Sequence, residues 1–109
     1  MRFRPPAWVE VDPGAVAANV RAILRYRPGV RLLAVVKEDA YGHGAPAVAR
    51  ALEGLAAGFA VATPAQGAQL RRAGVRAPVL LLGPCPPAEL PAVRRLRLTP
   101  SLCAEHDLA

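Results

Sequence analysis

The chain has 109 residues, 53% of them hydrophobic and 20% charged, with a formal charge of +6. That length suits one small domain, and the supply of apolar residues excludes a disordered chain. The longest apolar run, Leu55 to Ala62, is too short to span a bilayer, and Met1-Arg2-Phe3-Arg4-Pro5-Pro6 lacks the apolar core of an export signal, so a cytoplasmic protein with reduced Cys85 and Cys103 is expected.

In chain order, Trp8-Val9-Glu10-Val11 alternates weakly and predicts a short strand. Asp12-Pro13 then starts a helix, with an acidic N-cap and proline at the first helical position. Val16, Val20, Ile23 and Leu24 recur at helical spacing, and Pro28-Gly29 stops the helix. Leu32-Leu33-Ala34-Val35-Val36 is a continuous apolar run, the mark of a parallel strand covered on both faces. A loop carrying Gly42 and Gly44 follows, then a helix from about Pro46 to Glu53. Gly58–Ala62 predicts the next buried strand, and Pro64 opens a third helix that Gly74 closes. Val79–Leu82 predicts a third buried strand. Pro86-Pro87 leads into a fourth helix with Leu90, Val93 and Leu96 in line, and Leu98–Leu102 predicts a fourth strand that Pro100 weakens. The segment from Cys103 to Ala109 reads as the start of a further helix, as in a truncated chain.

Strands ending near Lys37, Thr63, Gly83 and Ser101 fit repeated βα units with short connections. Two closures follow: a small doubly wound sheet, or the first four or so units of a (β/α)8 barrel, whose complete form needs about 250 residues.

The positive charge has two parts. Of the 14 basic residues one is Lys37, which leaves thirteen arginines. The arginines are scattered, several near helix C-termini where cations favour the helix dipole. With 5% aromatics and no nucleic-acid fingerprint, they read as solvated helix faces rather than a nucleic-acid surface. Lys37 stands where ligands bind in α/β folds, at the C-terminal end of a strand. Alternation puts it on the face of Leu33 and Val35, where desolvation favours a neutral, nucleophilic amine. A guanidinium stays protonated and could not substitute. The competing structural role is a lysine at the barrel mouth, paired with Glu38 or Asp39. His43 reads as a loop hydrogen-bonding residue, Glu53 carries no evident chemistry, and no His/Cys spacing resembles a metal site. Gly42-x-Gly44-x-x-Ala47 follows its strand too late for a dinucleotide loop, and Thr63 stands where that loop's acid belongs.

The stretch Ala34-Val35-Val36-Lys37-Glu38-Asp39-Ala40-Tyr41-Gly42-His43-Gly44 closely resembles the pyridoxal-phosphate attachment motif of alanine racemases. Trp8–Asp12, Gly58–Thr63 and Ala77–Gly83 are also similar to segments of that family, so the resemblance runs from about Trp8 to Ser101. It implies a (β/α)8 barrel followed by a β domain, a head-to-tail homodimer, and interconversion of L- and D-alanine in D-alanine supply for peptidoglycan. Residues 1–11 then form an N-terminal strand segment, and residues 12–109 the first part of the cofactor-binding barrel. By this resemblance Lys37 carries pyridoxal 5'-phosphate as an internal aldimine and is one of two bases. Tyr41 bonds the cofactor phosphate and Leu82 lines its ring pocket. Glu38 departs from the motif, where this position is normally small. Alternation turns it toward the helix layer, where a buried carboxylate needs a partner such as an arginine. The family's opposing base, a tyrosine, matches neither Tyr26 nor Tyr41, so this chain alone is expected to be inactive. The competing readings are another pyridoxal-phosphate racemase, a barrel that carries the cofactor without turnover, and a basic βα module that binds nucleic acid or a protein.

Overall fold

The computed structural model describes residues 1–105; the helix start expected toward the C-terminus lies largely outside them. Asp12 begins the first helix, α1 (Pro13–Tyr26). Its Oδ1 accepts from the Gly14 and Ala15 amides at 2.9 and 3.3 Å, donors that helix geometry leaves without internal partners. Four strands follow: β1 (Leu33–Val35), β2 (Gly58–Val61), β3 (Val79–Leu81) and β4 (Leu98–Thr99). Between them lie α2 (Ala45–Ala51), α3 (Pro64–Arg72) and α4 (Leu90–Arg95), the last entered through a 3₁₀ turn at Pro87–Glu89.

All neighbouring strands are parallel and pair in the order β1-β2-β3-β4. A doubly wound sheet reverses its strand order at a switch point, whereas a barrel adds each strand beside the last. The observed order is the barrel's, here four βα units of it.

The two faces of the sheet differ. Toward the helices, Val36, Phe59, Val61, Val79, Leu81 and Leu98 are buried against Val20, Val48, Leu52, Leu70 and Val93. Gly67 of α3 permits this contact with β4: a Cβ there would stand 2.7 Å from Leu98 Cδ1. The register Val35↔Ala60, Ala60↔Leu80 and Leu80↔Thr99 sets one row on the other face. Leu33 and Val35 point away from the helices and are each 43% exposed. Apolar residues on both faces explain why these strands read as continuous runs.

The N-terminal ends of β3 and β4 are tied by one side chain. Arg71, in the last turn of α3, donates from Nε to Leu96 O (2.9 Å) and from Nη1 to Val75 O (2.9 Å) and Ala77 O (2.7 Å). Its Nη2 donates to Arg97 O at 3.0 Å. Burial, and then the charge of Arg97, lowers the Arg71 pKa from its ordinary value. Arg71 is therefore no solvated helix-face residue, as its place at a helix end implied. Its rigid fork gathers carbonyls from the two loops that enter β3 and β4.

Three further expectations are corrected. Trp8–Val11 forms no strand: Trp8, Val9 and Glu10 are exposed, no pairing involves them among the described residues, and Trp8 Nε1 bonds Glu10 Oε1 at 3.0 Å instead. An alternating segment becomes a strand only where a sheet edge takes its backbone groups. The fourth strand covers Leu98–Thr99 rather than Leu98–Leu102, since Pro100 lacks the amide a longer ladder needs. Glu38 is not a buried carboxylate in need of an arginine; it is exposed, for the reason given next, and its carboxylate meets Gln66 of α3.

Candidate active site

β1 ends at Val35, and the backbone leaves extended geometry at Val36 (φ −123°, ψ 23°). Lys37 then opens a tight turn, Lys37–Tyr41, in which Glu38, Asp39, Ala40 and Tyr41 all have φ between 52° and 55°. Four consecutive non-glycine residues thus make a left-handed turn, a conformation that costs roughly 1–2 kcal/mol per residue. Alternation cannot be carried through such a turn, so Glu38 emerges at the surface.

Local bonds hold the turn. The Ala40 amide donates to Val36 O (3.0 Å) and the Gly44 amide to Asp39 O (2.9 Å). Asp39 Oδ1 accepts from the Ala45 amide at the start of α2 (2.9 Å), and the Ala40 side chain is buried. Gly42 (φ 87°) and Gly44 (φ 90°) supply the positive φ angles that return the chain to α2. His43 Nδ1–H donates to Ala40 O at 2.9 Å, which matches a loop hydrogen-bonding role.

Past the strand ends, Lys37 opens the turn after β1, Ala62 follows β2, Leu82 follows β3 and Ser101 follows β4, all at the C-terminal end of the parallel sheet. Lys37 is half-buried, Leu82 is 44% exposed, and Ser101 Oγ donates to Leu81 O, tying the chain after β4 to β3. Gly83 keeps the ends of β2 and β3 close: a Cβ there would lie 2.9 Å from Ala62 O. Tyr41 is exposed on the same turn as Lys37. Of the three predicted site residues, Lys37 and Tyr41 thus share the turn after β1, and Leu82 directly follows β3.

Sequence reasoning missed Gln66. Its Oε1 accepts from the Ala62 amide (2.9 Å) and its Nε2 donates to Glu38 Oε1 (2.8 Å). A signal for it existed in Thr63-x-x-Gln66, the spacing of a capping box. Thr63 Oγ1 does accept from the Gln66 amide (3.3 Å), but the Gln66 side chain reaches one residue further back than that motif specifies.

A primary amine and a phenol on one turn at a strand end suit a carbonyl cofactor with a phosphate better than a metal. Among the described residues no three His, Cys, Asp or Glu side chains are grouped to hold a metal ion, and no helix is long and apolar enough to cross a membrane.

Fold and site together define a (β/α)-barrel segment that presents one lysine at a strand end. Residues 11–109 match the family described as "Alanine racemase, N-terminal domain", and the chain belongs to that family. The alanine racemase of Synechocystis sp. is 49% identical over 108 residues, which cover 96% of this chain and 29% of that protein. That of Pseudomonas fluorescens is 54% identical over 77 residues, 71% of this chain and 21% of the relative. The crystal structure of alanine racemase from Bacillus anthracis with bound L-Ala-P superposes with a TM-score of 0.88 at 39% identity, covering 97% of this chain and 28% of that one. The chain therefore spans less than a third of the length of these relatives.

Proposed function

We propose that this chain supplies the lysine-bearing half of the active site of a pyridoxal-phosphate-dependent racemase that interconverts L- and D-alanine. One observation carries the reading: the sole lysine of the sequence lies at the C-terminal end of β1, on the same turn as Tyr41. Residues 12–109 are then the first part of the cofactor-binding barrel, with residues 1–11 as a leading segment. Homodimerisation, a cytoplasmic setting and D-alanine supply for peptidoglycan belong to the same reading.

Lys37 would hold the cofactor covalently, the Tyr41 hydroxyl would donate to its phosphate, and Leu82 would lie against its ring. When bound, the cofactor supplies an electron sink that acidifies the Cα–H of an attached amino acid. Lys37 Nζ is placed to take that proton, or to return it, on one face of Cα. The rigid turn fixes the direction of approach. Inversion needs a second base on the opposite face. The tyrosine that the family resemblance implies for that role matches neither Tyr41, on the lysine's own turn, nor Tyr26, at the end of α1.

The test uses the full-length protein with added pyridoxal phosphate. Borohydride treatment should leave a stable adduct on the Lys37 peptide, and the protein should form D-alanine from L-alanine. The isolated 109-residue chain should form none. Absence of the adduct from the full-length protein overturns the proposal.

A further inference from the structure

We propose that Gln66 and Glu38 form a positioning bridge that repairs the sheet where the lysine turn breaks it. The inference rests on the proposed role of Lys37. In the β1–β2 ladder the Val36 amide donates to Ala60 O at 2.9 Å. Parallel ladders repeat every two residues, so the next rung would run from the Ala62 amide to Val36 O. The left-handed turn consumes that acceptor, because Val36 O takes the Ala40 amide at 3.0 Å. The Ala62 amide would then be left without a partner one step from the reactive amine, and Gln66 Oε1 accepts its hydrogen bond.

The other end of the same carboxamide completes the device. Gln66 Nε2 donates to Glu38 Oε1, on the first left-handed residue after Lys37. A carboxamide is the common side chain that can accept from a backbone amide and donate to a carboxylate at once. The bridge thus links the end of β2, the start of α3 and the lysine turn, with Lys37 adjacent to one anchor. It also accounts for a glutamate at position 38: its charge makes the acceptor strong, and its partner is Gln66 rather than an arginine. Neither residue is assigned contact with substrate.

The bridge has a reciprocal test. In the full-length protein, Gln66→Glu keeps the acceptor for Ala62 but sets two carboxylates against each other, which expels Glu38. The double variant Glu38→Gln with Gln66→Glu rebuilds the bridge with donor and acceptor exchanged. Glu38→Gln alone keeps it through its amide oxygen. In the cofactor-free protein, hydrogen exchange should speed up across residues 38–44 in Gln66→Glu while the Ala62 amide stays protected. Reductive methylation of Lys37, read on its peptide by mass spectrometry, should change by about threefold or more. With cofactor, kcat should fall about tenfold while KM stays within about twofold, and the double variant should regain most of the loss. Recovery in the double variant cannot come from side-chain loss elsewhere. The bridge is refuted by Gln66→Glu matching the wild type in exchange and labelling, or by a double variant no better than Gln66→Glu. Failure of pyridoxal phosphate to bind would sink the proposed function instead, and the exchange and labelling data would still decide the bridge.

Discussion

The two ends of the sheet solve opposite problems. At the N-terminal end, Arg71 gathers four loop carbonyls at 2.7–3.0 Å. At the C-terminal end, the chain bends through four left-handed residues and is held by a scatter of single bonds from Asp39, His43 and Gln66. One end concentrates its polar contacts in one residue and lies away from the proposed site. The other spreads them over several residues and keeps an amine within reach of solvent. A barrel separates stability from reactivity along the strand axis, and these four strands already show the division.

The sharpest way to break the comparison is Lys37→Arg. It keeps the charge at the upper end but removes the amine, so kcat of the full-length protein should drop by about a thousandfold or more. Thermal melting should be unchanged, and any sizeable shift would mean that Lys37 also stabilises the fold. Arg71→Ala is the converse. Removing four charge-assisted bonds should cost about 2–4 kcal/mol in denaturant unfolding, with kcat per folded molecule preserved. Arg71→Lys should recover little, since an ammonium cannot reproduce the fork.

Gly83→Ala tests how closely the strand ends must approach. A methyl 2.9 Å from Ala62 O must push β2 and β3 apart, at a cost of about 1–3 kcal/mol in stability. Because the displacement falls next to Leu82 and Ala62 at the C-terminal end of the sheet, kcat should fall as well, and a purely stability-linked effect would remove Gly83 from the site. The smallest expected effect is that of Asp39→Ala. Loss of the bond to the Ala45 amide should lower stability by about 1 kcal/mol. Its signature is faster hydrogen exchange confined to the lysine turn and the start of α2, and a uniform increase would show that the upper end is not a separate unit.

Much of the architecture was legible because burial on both faces writes itself as uninterrupted apolar runs, as at Leu32–Val36 and Val79–Leu82. Lys37 stood out because arginine had taken every other basic position; Tyr41 was proposed from the lysine motif and Leu82 from its place at the end of the third strand. Glu38 was misread because alternation was carried past Val36, where the backbone had already left the strand. Nothing in the identity of Glu38, Asp39 and Ala40 announces a left-handed turn; it is imposed by bonds to Val36, Gly44 and Ala45. Arg71 was opaque for another reason. Two of its carbonyl partners lie 25 and 26 residues further along, and a sequence pattern carries no mark of such a meeting.

The separation of the sheet's two faces also bears on how such a protein changes over generations. Leu33, Val35 and Leu82 face away from the helix layer, and none belongs to the buried cluster that holds the helices to the sheet. In a closed barrel that face lines the interior, so Leu33 and Val35 belong to a second packing problem, distinct from the one Phe59, Val61 and Leu81 solve against the helices. Selection on the inner face therefore acts through residues that meet other strands of the barrel, and selection on the outer face through residues that meet helices.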